Sequence, residues 1–201
     1  MGIFQQEKVK DMLQLVQQYH AEQFRNNGKV PYWHHCLSVA EIVIVAFEQT
    51  GELENNNDLL VSIACSALGH DLLEDTAVTR LAIRDRFGPR VEEMIISLTN
   101  EEDDAHRDKY MRKIAASSEE LALIKYADLI ENTISCAYGI NDLGVDWIKS
   151  FYLPIKDETE KILASKKFSI YAETANLLRI QYRFAAERLD NNFIKYRKVG
   201  I

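Results

Sequence analysis

The sequence predicts an all-α domain of eight or nine helices with no significant sheet. Apolar residues recur at spacings of three to five over most of the chain, the period of one helix face. Helix start and stop signals such as Ser117 with Glu120, Gly88-Pro89 and Gly139 separate these runs. The one stretch that suggests β, Ile42-Val43-Ile44-Val45, lies inside an apolar segment of four turns, a length that favours a buried helix.

In chain order, Val9, Met12, Leu13, Val16, Tyr19 and Phe24 mark an amphipathic first helix, predicted to end near Arg25 and to be closed by Asn26-Asn27-Gly28. A second helix is predicted from about His34 to Gln49 after the connector Lys29-Val30-Pro31-Tyr32. A third covers the apolar run Leu59 to Leu73, with Asn57 or Asp58 as N-cap. Thr79 is placed to cap a short helix through Phe87, and Pro89 suits the first turn of the next, whose stripe is Val91, Met94, Ile95 and Leu98. Residues 100–108 read as a charged loop and Tyr110 to Ala116 as a short helix. A capping box of Ser117 and Glu120 opens a strong helix to Tyr138. A long helix from Gly144 to Ala164 is expected to kink at Pro154, and a last helix starts at Ser169.

With 201 residues and 47% hydrophobic content, the chain is predicted to form one domain over 1–201, with a core of about 5–165 and a C-terminal helical extension of about 169–197. No segment reads as a signal peptide or reaches the roughly 18 uninterrupted apolar residues of a membrane span, so a cytoplasmic protein is expected, with no membrane partner. Met1-Gly2 begins like a myristoylation signal, but Gln6 stands where Ser or Thr is usual. Cys36, Cys65 and Cys136 are scattered and odd in number, which argues for reduced core thiols. A net charge of −7 argues against a nucleic-acid partner. A small anionic substrate remains compatible if a metal and a few Lys or Arg concentrate positive charge locally. Oligomeric state is not readable.

Chemistry concentrates in Ser66-Ala67-Leu68-Gly69-His70-Asp71-Leu72-Leu73-Glu74-Asp75-Thr76. On one continuous helix, His70 would stack over Glu74 and Asp71 over Asp75. The plain reading is a capped helix end with solvated acids. The alternative follows from more than three apolar turns before His70. They predict a buried helix end, where such charges need a compensator such as a divalent cation. His35 and Asp128 are candidates to complete a set of two imidazoles and two carboxylates from three helices, although Asp128 could also be a capping group at the core edge. Nitrogen and oxygen ligands without thiolate suit manganese, iron or zinc better than calcium. His34, a neighbour of His35, points about 100° away on a helix and is not expected to ligate.

Pro31-Tyr32-Trp33-His34-His35, the His70 to Thr76 stretch, and Lys125-Tyr126-Ala127-Asp128 with Asn132 resemble the H…HD…D pattern of the HD-domain metal phosphohydrolases. The Glu-Asp that follows the His-Asp pair is similar to that of the RelA/SpoT-type alarmone hydrolases and their small metazoan SpoT homologues. The resemblance runs from about residue 5 to 165 and includes Arg84-Asp85-Arg86-Phe87-Gly88 and Arg112-Lys113-Ile114. It implies that His35, His70, Asp71 and Asp128 bind one metal, typically Mn2+, and that Glu74 and Asp75 act as the catalytic pair beside the attacking water. It also implies a nucleotide substrate, guanosine tetra- or pentaphosphate, which loses its 3′-pyrophosphate. Arg25 would stack on the base, Asn26 would stand where the family commonly has Lys, Asn132 would touch the ribose, and Lys125 would contact phosphate.

Each substrate assignment has a plainer alternative. Arg25 could simply face the negative end of the first helix, and Lys125, Lys109, Arg112 and Lys113 could be solvated or snorkelling side chains. Leu129 and Ile134 stand where the family has basic residues, and Glu131 replaces a His or Tyr. Those departures leave open a second enzyme reading, hydrolysis of an adenine alarmone or of the NADPH 2′-phosphate. A third is an inactive nucleotide-binding module.

Overall fold

The structure, a computed structural model, describes residues 2–100 and 107–199, with backbone alone for 196–199. After a 3₁₀ turn at Ile3–Gln5 the chain runs through α1 (Glu7–Tyr19), α2 (Trp33–Thr50), α3 (Asn57–Leu68), the single turn α4 (Leu72–Asp75), α5 (Arg80–Phe87) and α6 (Pro89–Leu98). It continues through α7 (Arg107–Ala116), α8 (Glu119–Tyr138), the short α9 (Ile140–Leu143) and α10 (Val145–Trp147), then α11 (Leu153–Ser165) and α12 (Ala172–Val199). Nine of these helices have eight residues or more, and among the described residues the only β feature is an isolated bridge between Phe24 and Pro31. No helix of the described residues is long and apolar enough to cross a membrane.

α8 is apolar on nearly every side, and a helix of that kind has to lie inside the molecule. It packs along α12 and α2, while α3 lies between α2 and α1. Tyr171, Ala175, Leu178 and Tyr182 join the same core as Val43, Ile63 and Ile124, so α12 is part of the packing that positions α8. A smaller cluster of Cys136, Ala137, Ile140, Ile148, Tyr152, Leu189 and Phe193 closes the far end of α8. All three cysteines are free and buried.

Several boundaries depart from the sequence reading. α1 stops at Tyr19, not near Arg25, because residues 23–32 fold back on themselves: Arg25 N–H donates to Val30 O (2.8 Å) and Tyr32 N–H to Gln23 O (2.8 Å). The N-cap of α3 is Asn56, whose side chain accepts from Leu59 N–H at 3.2 Å. The expected capping box at Ser117 does not form; Ser117 Oγ donates to Ile114 O (2.6 Å), and Ser118 precedes α8. Where the sequence predicts a kink at Pro154, the chain makes one π-helical turn, Ile148–Tyr152, just before it, consistent with a proline that has no N–H to offer the preceding turn. The Thr79 cap forms as expected, with Ala82 N–H donating at 3.2 Å. Residues 101–106 of the expected charged loop lie outside the described residues, and Arg107 and Asp108 belong to α7.

The last helix begins at Ala172, after Ser169, because distant acids hold the chain there. Glu119 accepts from the N–H groups of Ser169 (2.7 Å), Ile170 (3.0 Å) and Tyr171 (2.9 Å), and Glu52 accepts from those of Glu173 (3.1 Å) and Thr174 (2.9 Å). Unpaired N–H groups and the positive end of a helix both favour carboxylates at this point. Burial alone would raise the Glu119 pKa, but these donors pull it below its ordinary value. Its stabilisation is therefore complete above the ordinary carboxyl pKa and is lost as pH falls through the acid range. Glu119→Gln should cost about 2–3 kcal/mol at neutral pH, a drop in melting temperature of roughly 5–10 °C. Thermal unfolding followed at several pH values should show the gap to wild type closing below about pH 4.

Candidate metal centre

The break between α3 and α4 builds the site. α3 ends at Leu68, so the single continuous helix expected through Leu73 is interrupted by Gly69-His70-Asp71. A Cβ on Gly69 would meet Ile95 Cδ1 at 2.8 Å and Met12 Sδ at 3.2 Å, so glycine lets the chain pass close to α1 and α6 without displacing the ends of those side chains. The turn sends His70 and Asp71 inward and leaves Glu74 and Asp75 on a separate helical turn at the mouth, both open to solvent on one side.

Two imidazoles present their Nε2 lone pairs to this point. His70 Nδ1 lies 2.8 Å from Ala67 O, a carbonyl that can only accept, so Nδ1 carries the proton; the buried Nε2 has no hydrogen-bond partner. His35, in the first turn of α2, is bonded through Nδ1 to the Glu131 carboxylate on α8, which fixes the same tautomer. The ligand atoms of His35, His70 and Asp71 all lie within 4.8 Å of one another. Asp71 Oδ2 is 3.0 Å from His70 Nε2 and 3.6 Å from His35 Nε2, and Asp128 Oδ1 is 3.3 Å from His35 Nε2. The atoms of His35, His70 and Asp71 are spaced like atoms about 2.0–2.2 Å from one cation, and an orphaned buried imidazole nitrogen is the lone pair such an ion takes up; Asp128 approaches His35 but lies outside this close set, bonded to Lys125 and Asn132. The residues fit a divalent cation.

The electrostatics agree. Burial works against charge on His35, yet Glu131 and Asp128 hold its pKa up to about 9, and His70 is raised by Asp71 in the same way. Despite burial, Asp71 and Asp128 are held well below the ordinary carboxylate value, Asp71 by the two imidazoles and Asp128 by Lys125 and His35. A surplus of carboxylate attracts either protons onto the imidazoles or a cation in their place. Metal binding should therefore release protons and tighten as pH rises toward 9, by on the order of tenfold per unit for each proton displaced. Mn2+ titrations between about pH 6.5 and about pH 8.5, in buffers of different ionisation enthalpy, check this.

Glu74 and Asp75 have pKa values above their ordinary ones, chiefly through withdrawal from water and also through the neighbouring Asp71 carboxylate. Asn100 N–H donates to Glu74 Oε2 at 2.9 Å. A carboxylate of raised pKa beside a cation site is suited to proton transfer.

Beside the centre lies a cavity of about 310 Å³ lined by Arg25, Asn26, Tyr32, Arg107, Asn132, Trp147, Phe151 and Tyr152 among others. Arg25, six residues beyond the end of α1, donates from Nη2 to Glu131 Oε2 (3.0 Å) and Asn132 Oδ1 (2.7 Å), so its expected alternative against a helix end does not apply. Asn26 also faces this cavity. Lys125 does not; its Nζ is 2.6 Å from Asp128 Oδ2 and it lies over the Tyr110 ring. Arg112 pairs with Asp108 at 3.5 Å and, with Lys113, is exposed. His34 is exposed and stacked on Trp33.

Two residues that the sequence reading did not place in the site hold it together. Tyr32 O–H donates to Asp71 Oδ2 at 2.8 Å, and Glu131 bonds His35. Each carried a signal: Tyr32 precedes His35 by three residues, and Glu131 follows Asp128 by three, on the same face of the helix.

The model of the family described as HD domain matches residues 13–136. The chain belongs to that family. Relatives of this HD domain include the guanosine-3′,5′-bis(diphosphate) 3′-pyrophosphohydrolase of Aquifex aeolicus, 26% identical over 180 residues, or 87% of this chain and 22% of that protein. A probable enzyme of the same name from Mycoplasma pneumoniae is 27% identical over 164 residues, or 78% of this chain and 20% of that protein. The chain thus spans about a fifth of the length of these curated relatives. A solved structure described as a metazoan orthologue of SpoT that hydrolyses ppGpp and plays a role in starvation responses superposes with a TM-score of 0.65. It is 20% identical to this HD domain, with 97% of each chain covered, and so shows the shared fold.

Proposed function

We propose that this HD domain is a metal-dependent phosphohydrolase that removes the 3′-pyrophosphate from guanosine tetra- or pentaphosphate, with Mn2+ held by His35, His70, Asp71 and Asp128. The observation that carries the reading is the convergence of His35, His70 and Asp71 within 4.8 Å, beside a cavity lined by Arg25, Asn26 and Asn132. The two curated relatives bear the name of this activity.

A bound divalent cation supplies Lewis-acid charge for phosphoryl oxygens and lowers the pKa of water. Glu74, with its raised pKa, orients the attacking water and accepts its proton; Asp75 shares the mouth of the site and orients the same water. Arg25, lying 5.7 Å from the Tyr32 ring, presents its guanidinium to a base, and Asn132 meets the ribose. Lys125 pairs with Asp128 and so lowers the surplus of carboxylate charge at the centre, toward which phosphate has to come. Water bonds to the 3′ phosphorus as the bond from that phosphorus to the ribose 3′ oxygen breaks; the 3′ oxygen takes up a proton, and the products are pyrophosphate and the nucleoside 5′-diphosphate, or the 5′-triphosphate from the pentaphosphate. Phosphoryl transfer of this kind asks mainly for position and positive charge.

Purified protein with Mn2+ should release pyrophosphate from ppGpp. A second reading, another nucleotide substrate such as an adenine alarmone or NADPH, is favoured by Leu129, which is buried, and Ile134, which is exposed; neither offers a basic group. Rates on ppGpp, its adenine counterpart and NADPH, compared side by side, separate the two. Turnover of none of them by Mn2+-loaded protein overturns both.

A further inference from the structure

We infer that Glu131 is a positioning residue that couples metal binding to nucleoside binding through a closed ring of side chains. The ring runs from His35 through Glu131, Arg25, Asn132 and Asp128 back to His35. Glu131 Oε2 accepts from both His35 Nδ1 and Arg25 Nη2, the latter at 3.0 Å. The same Arg25 Nη2 donates to Asn132 Oδ1 (2.7 Å), and Asn132 Nδ2 donates to Asp128 Oδ1 (2.5 Å), which is 3.3 Å from His35 Nε2. Two members are candidate metal ligands and two line the nucleotide cavity; the halves meet at the Asn132–Asp128 bond and at Glu131, whose one oxygen, Oε2, holds His35 and Arg25 together. Its other oxygen is anchored by Ser135 Oγ at 3.2 Å. The side chains of Arg25 and Glu131 are only 16% and 13% exposed, so solvent screens the link weakly.

A cation on His35 Nε2 requires Nδ1–H to face Glu131, which orders the Glu131 carboxylate and, through it, the Arg25 guanidinium. A base stacked on Arg25 orders the same ring from the other side. Each ligand then meets groups the other has already immobilised, and thermodynamic linkage makes the gain equal in both directions.

The inference rests on the reading of Arg25 and Asn132 as nucleotide contacts, and its test avoids the direct route by which phosphates would touch the metal. Guanosine and adenosine carry no phosphate, so the phosphate–metal contact is absent, and a control titration of Mn2+ with nucleoside in buffer corrects for direct coordination by the base or ribose. Free Mn2+, measured by electron paramagnetic resonance with and without saturating nucleoside, should report an affinity tightened by about fivefold or more. Mn2+ should tighten the nucleoside by the same factor. In Glu131→Gln the factor should fall below about twofold while each ligand still binds alone. Glu131→Asp keeps the charge but is too short to bridge, and should lose the coupling too; it serves if Glu131→Gln does not fold, as judged by thermal melting. Coupling undiminished in Glu131→Gln or Glu131→Asp overturns the inference. So does a wild-type Mn2+ affinity indifferent to nucleoside, a result that leaves the phosphohydrolase reading standing if ppGpp is still turned over.

Discussion

Asp71→Ala is expected to abolish Mn2+ binding and ppGpp hydrolysis together, with turnover lowered by more than about three orders of magnitude. Asp71 Oδ2 is the atom on which the site converges: His70 Nε2 at 3.0 Å, His35 Nε2 at 3.6 Å and Tyr32 O–H at 2.8 Å all meet it. Removing it takes away one anionic ligand. It also leaves the two imidazoles without the carboxylate between them and frees Tyr32 to turn. The core helices are held by packing that Asp71 does not share, so the variant should melt cooperatively and keep its helical circular dichroism. Isothermal titration with Mn2+ and a pyrophosphate-release assay, run on the same preparation, test the two losses. A variant that still bound Mn2+ with near wild-type affinity would show that the cation is held elsewhere.

Glu74→Gln is expected to give the opposite pattern: Mn2+ affinity close to wild type and turnover lower by about 10²–10⁴. Glu74 lies on α4, one helical turn beyond the proposed ligands, and its carboxylate is bonded to Asn100 N–H, outside the ligand set. An amide preserves shape and can still accept from Asn100, but it cannot take a proton from water. Because burial and Asp71 raise the Glu74 pKa, wild-type activity should fall on the acid side at a higher pH than an ordinary glutamate would produce. The direction follows from the role: protonated Glu74 is no base, so activity rises as pH passes its pKa. A pH–rate profile of wild type beside single-turnover rates of the variant measures both effects. A rate near wild type in Glu74→Gln would remove Glu74 from the chemistry.

The helices were legible because their periodicity is a local property. α2 reads as a helix despite Ile42-Val43-Ile44-Val45, since four turns of continuous apolar sequence suit a buried helix better than a strand, and the structure agrees. The stop at Gly139, the Thr79 cap and the disturbance before Pro154 are likewise set by one or two residues. The ends of α1 and α3 were not legible in this way. Arg25 lies beyond α1 because Gln23 and Tyr32 pair across a turn, and the amphipathic spacing running on to Phe24 carries no trace of that pairing. The start of α12 depends on Glu119 and Glu52, which stand about 50 and 120 positions away in sequence.

By itself the sequence determined the all-α class, the reduced cysteines and the short group of residues able to ligate a cation, because residue type and helical spacing decide those. Only the tertiary structure decided how they meet. A helix through His70 would have set Glu74 directly over it; the turn at Gly69, which lies close against Ile95 and Met12, instead separates the inward His70 and Asp71 from the outward Glu74 and Asp75. The central helix α8 then brings Asp128, Glu131 and Asn132 against His35 and Arg25, across about a hundred residues of chain. The physical reason is that a metal cage and its hydrogen-bonded surround are made of contacts between elements, and the packing of α8 between its neighbours, not the spacing along any one helix, sets which side chains share them.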